Sequence, residues 1–181
     1  LKKAEYTAGI IGKWHTGGAE TSGIPNLQGF DYFFGHMNQS DGAVKYYPTS
    51  LWENTTKIPI PKNPDGSFVY VEDLYTQKSI DFITANQNSP FFLKIAYNIP
   101  HMPFDVPSLD PYSNEPWSRD EKAFAAMITR MDKNIGQIMT ALKNLGLDEN
   151  TLVIFTSDNG PEAEAQYAEA RFNTTGSLRG L

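Results

Sequence analysis

The sequence predicts an α/β protein, a mostly parallel sheet with helices layered on its faces. Three observations lead there. Three apolar runs with strand character, Ala8-Gly9-Ile10-Ile11, Phe91 to Tyr97 and Thr151 to Thr156, are each followed at once by a polar cluster. Helical periods separate them, the clearest lying between Phe124 and Leu145. The order that results is α-β-irregular-α-β-α-β, and strands in such an alternation point the same way. Their C-terminal ends then share one edge, where α/β proteins bind ligands.

Taken in order, residues 1–6 read as the end of an amphipathic helix and residues 8–12 as a short central strand. Residues 16–68 are rich in Gly, Pro, Asn and aromatics and show no sustained helical period. That is too long for a plain loop, so short strands are expected around Tyr46-Tyr47 and Leu51-Trp52, with Asn54-Thr55-Thr56 turning a hairpin. Apolar positions at Val71, Leu74, Tyr75, Phe82 and Ile83 predict a helix over 72–86. The next helix has its start written out: Ser118 and Glu121 form a Ser-x-x-Glu capping box. Phe124, Met127, Ile128, Met131, Ile135, Ile138, Met139, Leu142 and Leu145 follow at spacings of three and four. Gly146 stands where a left-handed C-terminal cap belongs. The three Met residues share a face with Ile and Leu, which marks them as core. The acidic run Glu162, Glu164 and Glu169 alternates with alanines and reads as a solvated face.

A chain of 181 residues with 40% hydrophobic and 20% charged side chains is one globular domain or part of one. The net charge of −6 and pI near 5.0 argue against nucleic acid, which calls for a basic footprint. There is no cysteine, hence no disulfide, thiolate metal site or cysteine nucleophile in this segment. No apolar run approaches the roughly 20 residues of a membrane span, and no signal peptide opens the chain. Leu1-Lys2-Lys3-Ala4 looks like a helix already under way, and Ser177 to Leu181 stop without a closing element. Residues 1–181 are therefore expected to be the central part of one larger domain, truncated at both ends.

The chemistry sits in the clusters. Lys13 and His15 flank Trp14 just after the first strand. Lys offers a compact point charge and His exchanges protons near neutral pH, a pairing suited to an anion; the alternative is a strand end reaching solvent. His101 lies between Pro100 and Pro103. Prolines stiffen the loop, which favours a positioned general acid or base over a surface turn. Asp158-Asn159-Gly160 alone would be a turn. After a central strand, its two adjacent oxygen ligands suit Ca²⁺ or Mg²⁺. His36 has no ligand set around it and reads as a loop histidine.

Jointly, these segments resemble the type I, formylglycine-dependent sulfatases of the alkaline-phosphatase-like superfamily. Gly12-Lys13-Trp14-His15-Thr16-Gly17 is similar to that family's Gly-Lys-Trp-His-x-Gly signature. Gly29-Phe30-Asp31-Tyr32-Phe33-Phe34-Gly35 resembles its Gly-Phe-Asp-x-Phe-x-Gly segment. Phe91-Phe92-Leu93 through Pro100-His101-Met102-Pro103 resembles its strand and Pro-His-x-Pro loop, and Val153 to Gly160 its metal-binding strand end. The resemblance implies a layered α/β/α fold of alkaline-phosphatase type and hydrolysis of sulfate esters, aryl or carbohydrate. It implies a formylglycine nucleophile made from Cys or Ser, and a divalent metal, usually Ca²⁺. By position, Asp158 and Asn159 would bind metal and Lys13 would bind a sulfate oxygen. His15 would contact the formylglycine hydroxyl, and His101 would bind substrate and protonate or hydrogen-bond the leaving-group oxygen. Such enzymes are often periplasmic, secreted or lysosomal, where Asn38, Asn54 and Asn173 would be glycosylation sequons if the source glycosylates.

The departures are as informative. No Cys-x-Pro-x-Arg or Ser-x-Pro-x-Arg motif occurs, and the paired aspartates of the family's metal site would lie upstream of Leu1. The chain stops at Leu178-Arg179-Gly180-Leu181, short of the family's Lys. Gln39, Ser40 and Asp41 align only loosely with the family's substrate-contact loop. The segment alone is expected to be inactive and to bind Ca²⁺ weakly. Two other readings stay open: a phosphodiesterase or phosphoryl transferase of the same superfamily, or a non-catalytic domain that binds sulfated glycans.

Overall fold

A computed structural model describes residues 1–38, 46–160, 171–174 and 176–177. Five strands form one sheet in the order β4-β3-β2-β1-β5: β1 (Thr7–Lys13), β2 (Tyr32–His36), β3 (Ser50–Glu53), β4 (Thr56–Pro59) and β5 (Phe91–Ala96). β1 is flanked in parallel by β2 and β5, with Gly12 opposite both Gly35 and Ala96. β3 and β4 extend the sheet as an antiparallel hairpin beyond β2. The hairpin turns at Asn54, which takes a φ of 54° as a left-handed turn residue does.

Two helices follow the sequence closely. α1 spans Val71–Ala85 and α2 spans Arg119–Asn144. Both halves of the Ser118/Glu121 capping box are present. At the other end Leu147 N–H donates to Leu142 O at 2.9 Å and Gly146 N–H to Lys143 O at 3.0 Å, with Gly146 at φ 69°. This is a Schellman cap, and Leu142 and Leu147 supply its apolar contact. Met127 is fully buried and Met131 packs on the core, but Met139 is 40% exposed, outside the core face expected of it. The α2 stripe is wider than the surface it covers.

Strand alternation divides the core. Ile11 and Phe34 meet Tyr75 and Phe82 of α1, and Phe91, Leu93 and Ile95 meet Ile83, Ile138 and Leu142, so both helices lie on one face. Ile10, Phe33 and Met37 point to the other face, where Trp14, Ile24 and Phe30 of the connecting loop cover them.

Several expectations need correction. Residues 2–4 form only a single 3₁₀ turn, ended by Glu5 at φ 60°. Asp31 then sets the start of β1: its carboxylate accepts from Ala8 N–H at 2.9 Å and pairs with Lys2 at 3.0 Å. Residues 32–36, to which periodicity assigns nothing, form β2 because β1 offers them an edge. Tyr46 and Tyr47 form no strand; Tyr46 is a buried ring stacked on Tyr70 at 5.7 Å. The largest difference is at Thr151 to Thr156, expected as a buried central strand. It carries no strand ladder, and Leu152, Ile154 and Phe155 are 85%, 76% and 72% exposed. An apolar run becomes a strand only where a neighbour satisfies its N–H and C=O groups, and none of the five strands pairs with it. The acidic run Glu162, Glu164 and Glu169, the residues Gln39, Ser40 and Asp41, and Leu178 to Leu181 lie outside the described residues. No described helix is long and apolar enough to cross a membrane.

Candidate active site

β1 and β5 run side by side in the same direction, so the residues after Lys13 and after Ala96 emerge at one edge. Gly12, at φ 113°, makes that approach possible: a Cβ there would lie 2.0 Å from the Ala96 carbonyl oxygen. The chain beyond β1 is held on its other side by two backbone bonds, Trp14 N–H to His36 O at 3.1 Å and His15 N–H to Met37 O at 3.3 Å. Trp14 is anchored by its indole N–H on Gly23 O at 2.7 Å and by an edge-on contact with Phe30.

Between these anchors stand Lys13 and His15. Lys13 is partly exposed and makes no side-chain hydrogen bond or ion pair among the described residues. His15 has a φ of 64°, an uncommon conformation for a residue other than glycine. Its Nε2 is buried and has no hydrogen-bond partner among the described residues. Burial, then the positive charge of Lys13, then that of His101 lower the His15 pKa below its usual 6.5. The ring is therefore neutral at pH 7, able to accept a proton.

His101 enters from the β5 side. Its Nδ1 lies 2.7 Å from Met102 O. A carbonyl oxygen only accepts, so Nδ1 carries hydrogen and Nε2 is the nitrogen left for a ligand. The ring is exposed, but its backbone is tied down. His101 N–H donates to Asn98 O at 2.9 Å, and Tyr46 O–H donates to His101 O at 2.6 Å. The pair Tyr46-Tyr47 reads in the sequence only as strand-like, because a tyrosine in an irregular segment looks the same whether it packs or acts. His36, expected as a loop histidine, is buried at the end of β2 with Nδ1 2.6 Å from the Tyr75 hydroxyl.

Thus Lys13 and His101 both act electrostatically on His15 at this edge. Asp158 and Asn159 are exposed in a turn, and no hydrogen bond or ion pair joins them to those three among the described residues. Asn159 Nδ2 donates to Gly160 O at 2.7 Å, which leaves its amide oxygen available. No three His, Cys, Asp or Glu side chains converge among the described residues. Two oxygen donors match the preference of Ca²⁺ but supply only part of the roughly six to eight it takes.

The Sulfatase family model matches residues 1–178. The chain belongs to the sulfatase family. It is 34% identical over 172 residues to N-acetylgalactosamine-6-sulfatase of Mus musculus, a match covering 88% of this chain and 32% of that protein. It is 32% identical over 140 residues to the uncharacterized sulfatase YdeN of Escherichia coli K12, covering 75% of this chain and 23% of YdeN. Among solved structures, Ps i-CgsB in complex with k-i-k-neocarrahexaose superposes with a TM-score of 0.74 at 26% identity, over 90% of this chain and 39% of that one. This sulfatase segment spans about a third of the N-acetylgalactosamine-6-sulfatase it matches. Its three-stranded parallel core with antiparallel additions and packed helices is the α/β arrangement that the family's alkaline-phosphatase-like fold requires.

Proposed function

We propose that the protein containing this segment hydrolyses carbohydrate sulfate esters, with Lys13, His15 and His101 in its active site. The observation that carries the reading is the buried, unpartnered His15 Nε2 within electrostatic reach of Lys13 and His101 at the shared end of β1 and β5. Two similar proteins support a carbohydrate: one is named N-acetylgalactosamine-6-sulfatase, and another was solved with k-i-k-neocarrahexaose.

In this reading the Lys13 ammonium attracts the sulfate oxygens. His15, neutral at pH 7, accepts a proton from the attacking oxygen. As the ester S–O bond breaks, the alkoxide takes the Nε2 proton of a His101 imidazolium, which leaves the neutral Nδ1–H ring, and water supplies the oxygen that sulfate gains. These roles match the charges that develop. Asp158 and Asn159 offer two hard oxygen donors to Ca²⁺ or Mg²⁺, which when bound would polarise the sulfate. The formylglycine that supplies the family's nucleophile has no precursor motif among residues 1–181.

The test is sulfate release from sulfated oligosaccharides by the full-length protein. Lys13→Ala and His101→Ala should each lower kcat/KM by about 10²–10³, the usual cost of one preorganised contact. Turnover within twofold of wild type in both variants would remove these residues from the site.

A further inference from the structure

Behind the His101 loop lies a buried polar network that the proposed chemistry does not use. Glu72, in the first turn of α1, is 0% exposed and has no basic partner among the described residues. Both its oxygens face Asn98. They accept the Asn98 backbone N–H at 3.3 and 3.2 Å, and Oε1 accepts the Asn98 side-chain amide at 2.9 Å. Asn98 O in turn accepts His101 N–H at 2.9 Å. Tyr46 O–H bridges the same stretch, donating to His101 O at 2.6 Å and more weakly to Asn98 O at 3.3 Å. Tyr46 is itself fixed: its ring stacks on Tyr70, and its carbonyl accepts Val71 N–H at 2.8 Å.

A carboxyl group is costly to bury without partners. All those Glu72 has lie on Asn98, so the network grips one short piece of backbone. That piece runs through buried Asn98 and Ile99 and ends at His101, whose side chain is exposed. General acid catalysis depends on where the donor nitrogen stands, and an error of about 1 Å is enough to lose it.

We propose that Glu72 and Tyr46 are positioning residues for His101. Through Asn98 and the His101 carbonyl they fix the loop from 98 to 101, so that the imidazole is held at the end of β5 beside His15. This rests on His101 being the proton donor to the leaving group.

Leaving-group dependence tests it. A carbohydrate sulfate leaves as a basic alkoxide and needs the proton; 4-nitrophenyl sulfate leaves as a stable phenolate and needs it far less. Both are assayed with the full-length enzyme and its Tyr46→Phe, Glu72→Leu, Glu72→Gln and His101→Ala variants. Tyr46→Phe keeps the stacked ring and removes only the hydroxyl. It should lower kcat on the carbohydrate sulfate by about 10–100-fold with KM within twofold, and kcat on the aryl sulfate several-fold less. Glu72→Leu should show the same split, and Glu72→Gln, which still accepts from Asn98, should recover most of the loss.

If His101→Ala shows the split while Tyr46→Phe lowers both substrates equally or neither, the positioning role is wrong and the reading of His101 stands. If His101→Ala shows no split, His101 is not the proton donor, and the proposal falls with that reading. Should Glu72→Leu not fold, Tyr46→Phe decides alone.

Discussion

Gly12 lies so close to Ala96 that a side-chain carbon on it would stand 2.0 Å from the Ala96 carbonyl oxygen. The strand carrying Lys13 and the strand leading to His101 are joined at this point, and a backbone atom cannot step aside as a flexible side chain does. Gly12 also holds a φ of 113°, which other residues adopt only with strain. Gly12→Ala should therefore destabilise the protein by about 3 kcal/mol or more, overpacking and backbone strain together. Gly136 is the control. It sits inside α2 with nothing near its missing Cβ, so Gly136→Ala should stabilise by about 0.5–1 kcal/mol. Urea unfolding of both variants measures the contrast, and equal midpoints would refute it.

The lowered pKa of His15 has consequences for stability and for titration. Below pH 6.5 the unfolded chain binds a proton that folded His15 refuses. Stability should thus fall as pH drops through 6.5 towards the lower folded value, and this contribution should be constant above it. Burial is the largest cause and Lys13 the next. Lys13→Met should consequently raise the His15 pKa, read from its imidazole proton shifts by NMR. A titration unmoved by Lys13→Met would place the lysine too far away to share a site with His15.

Glu72 works in the opposite direction. Burial pushes its carboxyl from the usual 4.5 up to about 8, against the opposing hydrogen bonds from Asn98. Between those values the folded chain keeps a proton that the unfolded chain has lost. Its contribution is full below pH 4.5 and is lost as pH rises through about 8, with a limiting slope of about 1.4 kcal/mol per pH unit. Glu72→Gln cannot titrate, so its stability should lack that component. The difference between wild-type and Glu72→Gln unfolding free energies across pH 5–8 checks it, and a flat difference would rule it out.

Exposure of residues 152–155 yields a sharp comparison. Phe155 is 72% exposed, whereas Met127 is fully buried. Phe155→Ser should change the stability of this chain by less than about 0.5 kcal/mol; Met127→Ala should cost about 2–5 kcal/mol. A large loss from Phe155→Ser would mean that this run is packed as its composition suggests.

The two helices were legible because their signals are local. A capping box, spacings of three and four and a C-terminal glycine act within one helix, and α2 runs from Arg119 to Asn144 between Ser118 and Gly146 as they require. The strands were legible only in part. Ala8 to Ile11 and Phe91 to Ala96 found partners, while Thr151 to Thr156 did not. Residues 32–36 show the converse: an unpromising stretch became a strand because β1 lay beside it.

Lys13, His15 and His101 were readable as candidates from residue type and motif alone. The sequence by itself determined which groups could do chemistry and which segments prefer to be helical, since both are properties of side chains and near neighbours. Tertiary structure decided what those groups meet. It brought His101 to His15 across the β1–β5 pairing and buried His36 against Tyr75. It also put Glu72 beneath the His101 loop and left Asp158 and Asn159 in an exposed turn. The physical reason is that strand pairing, burial and the pKa shifts that follow arise from contacts between residues distant along the chain, and no local pattern encodes who the partner is.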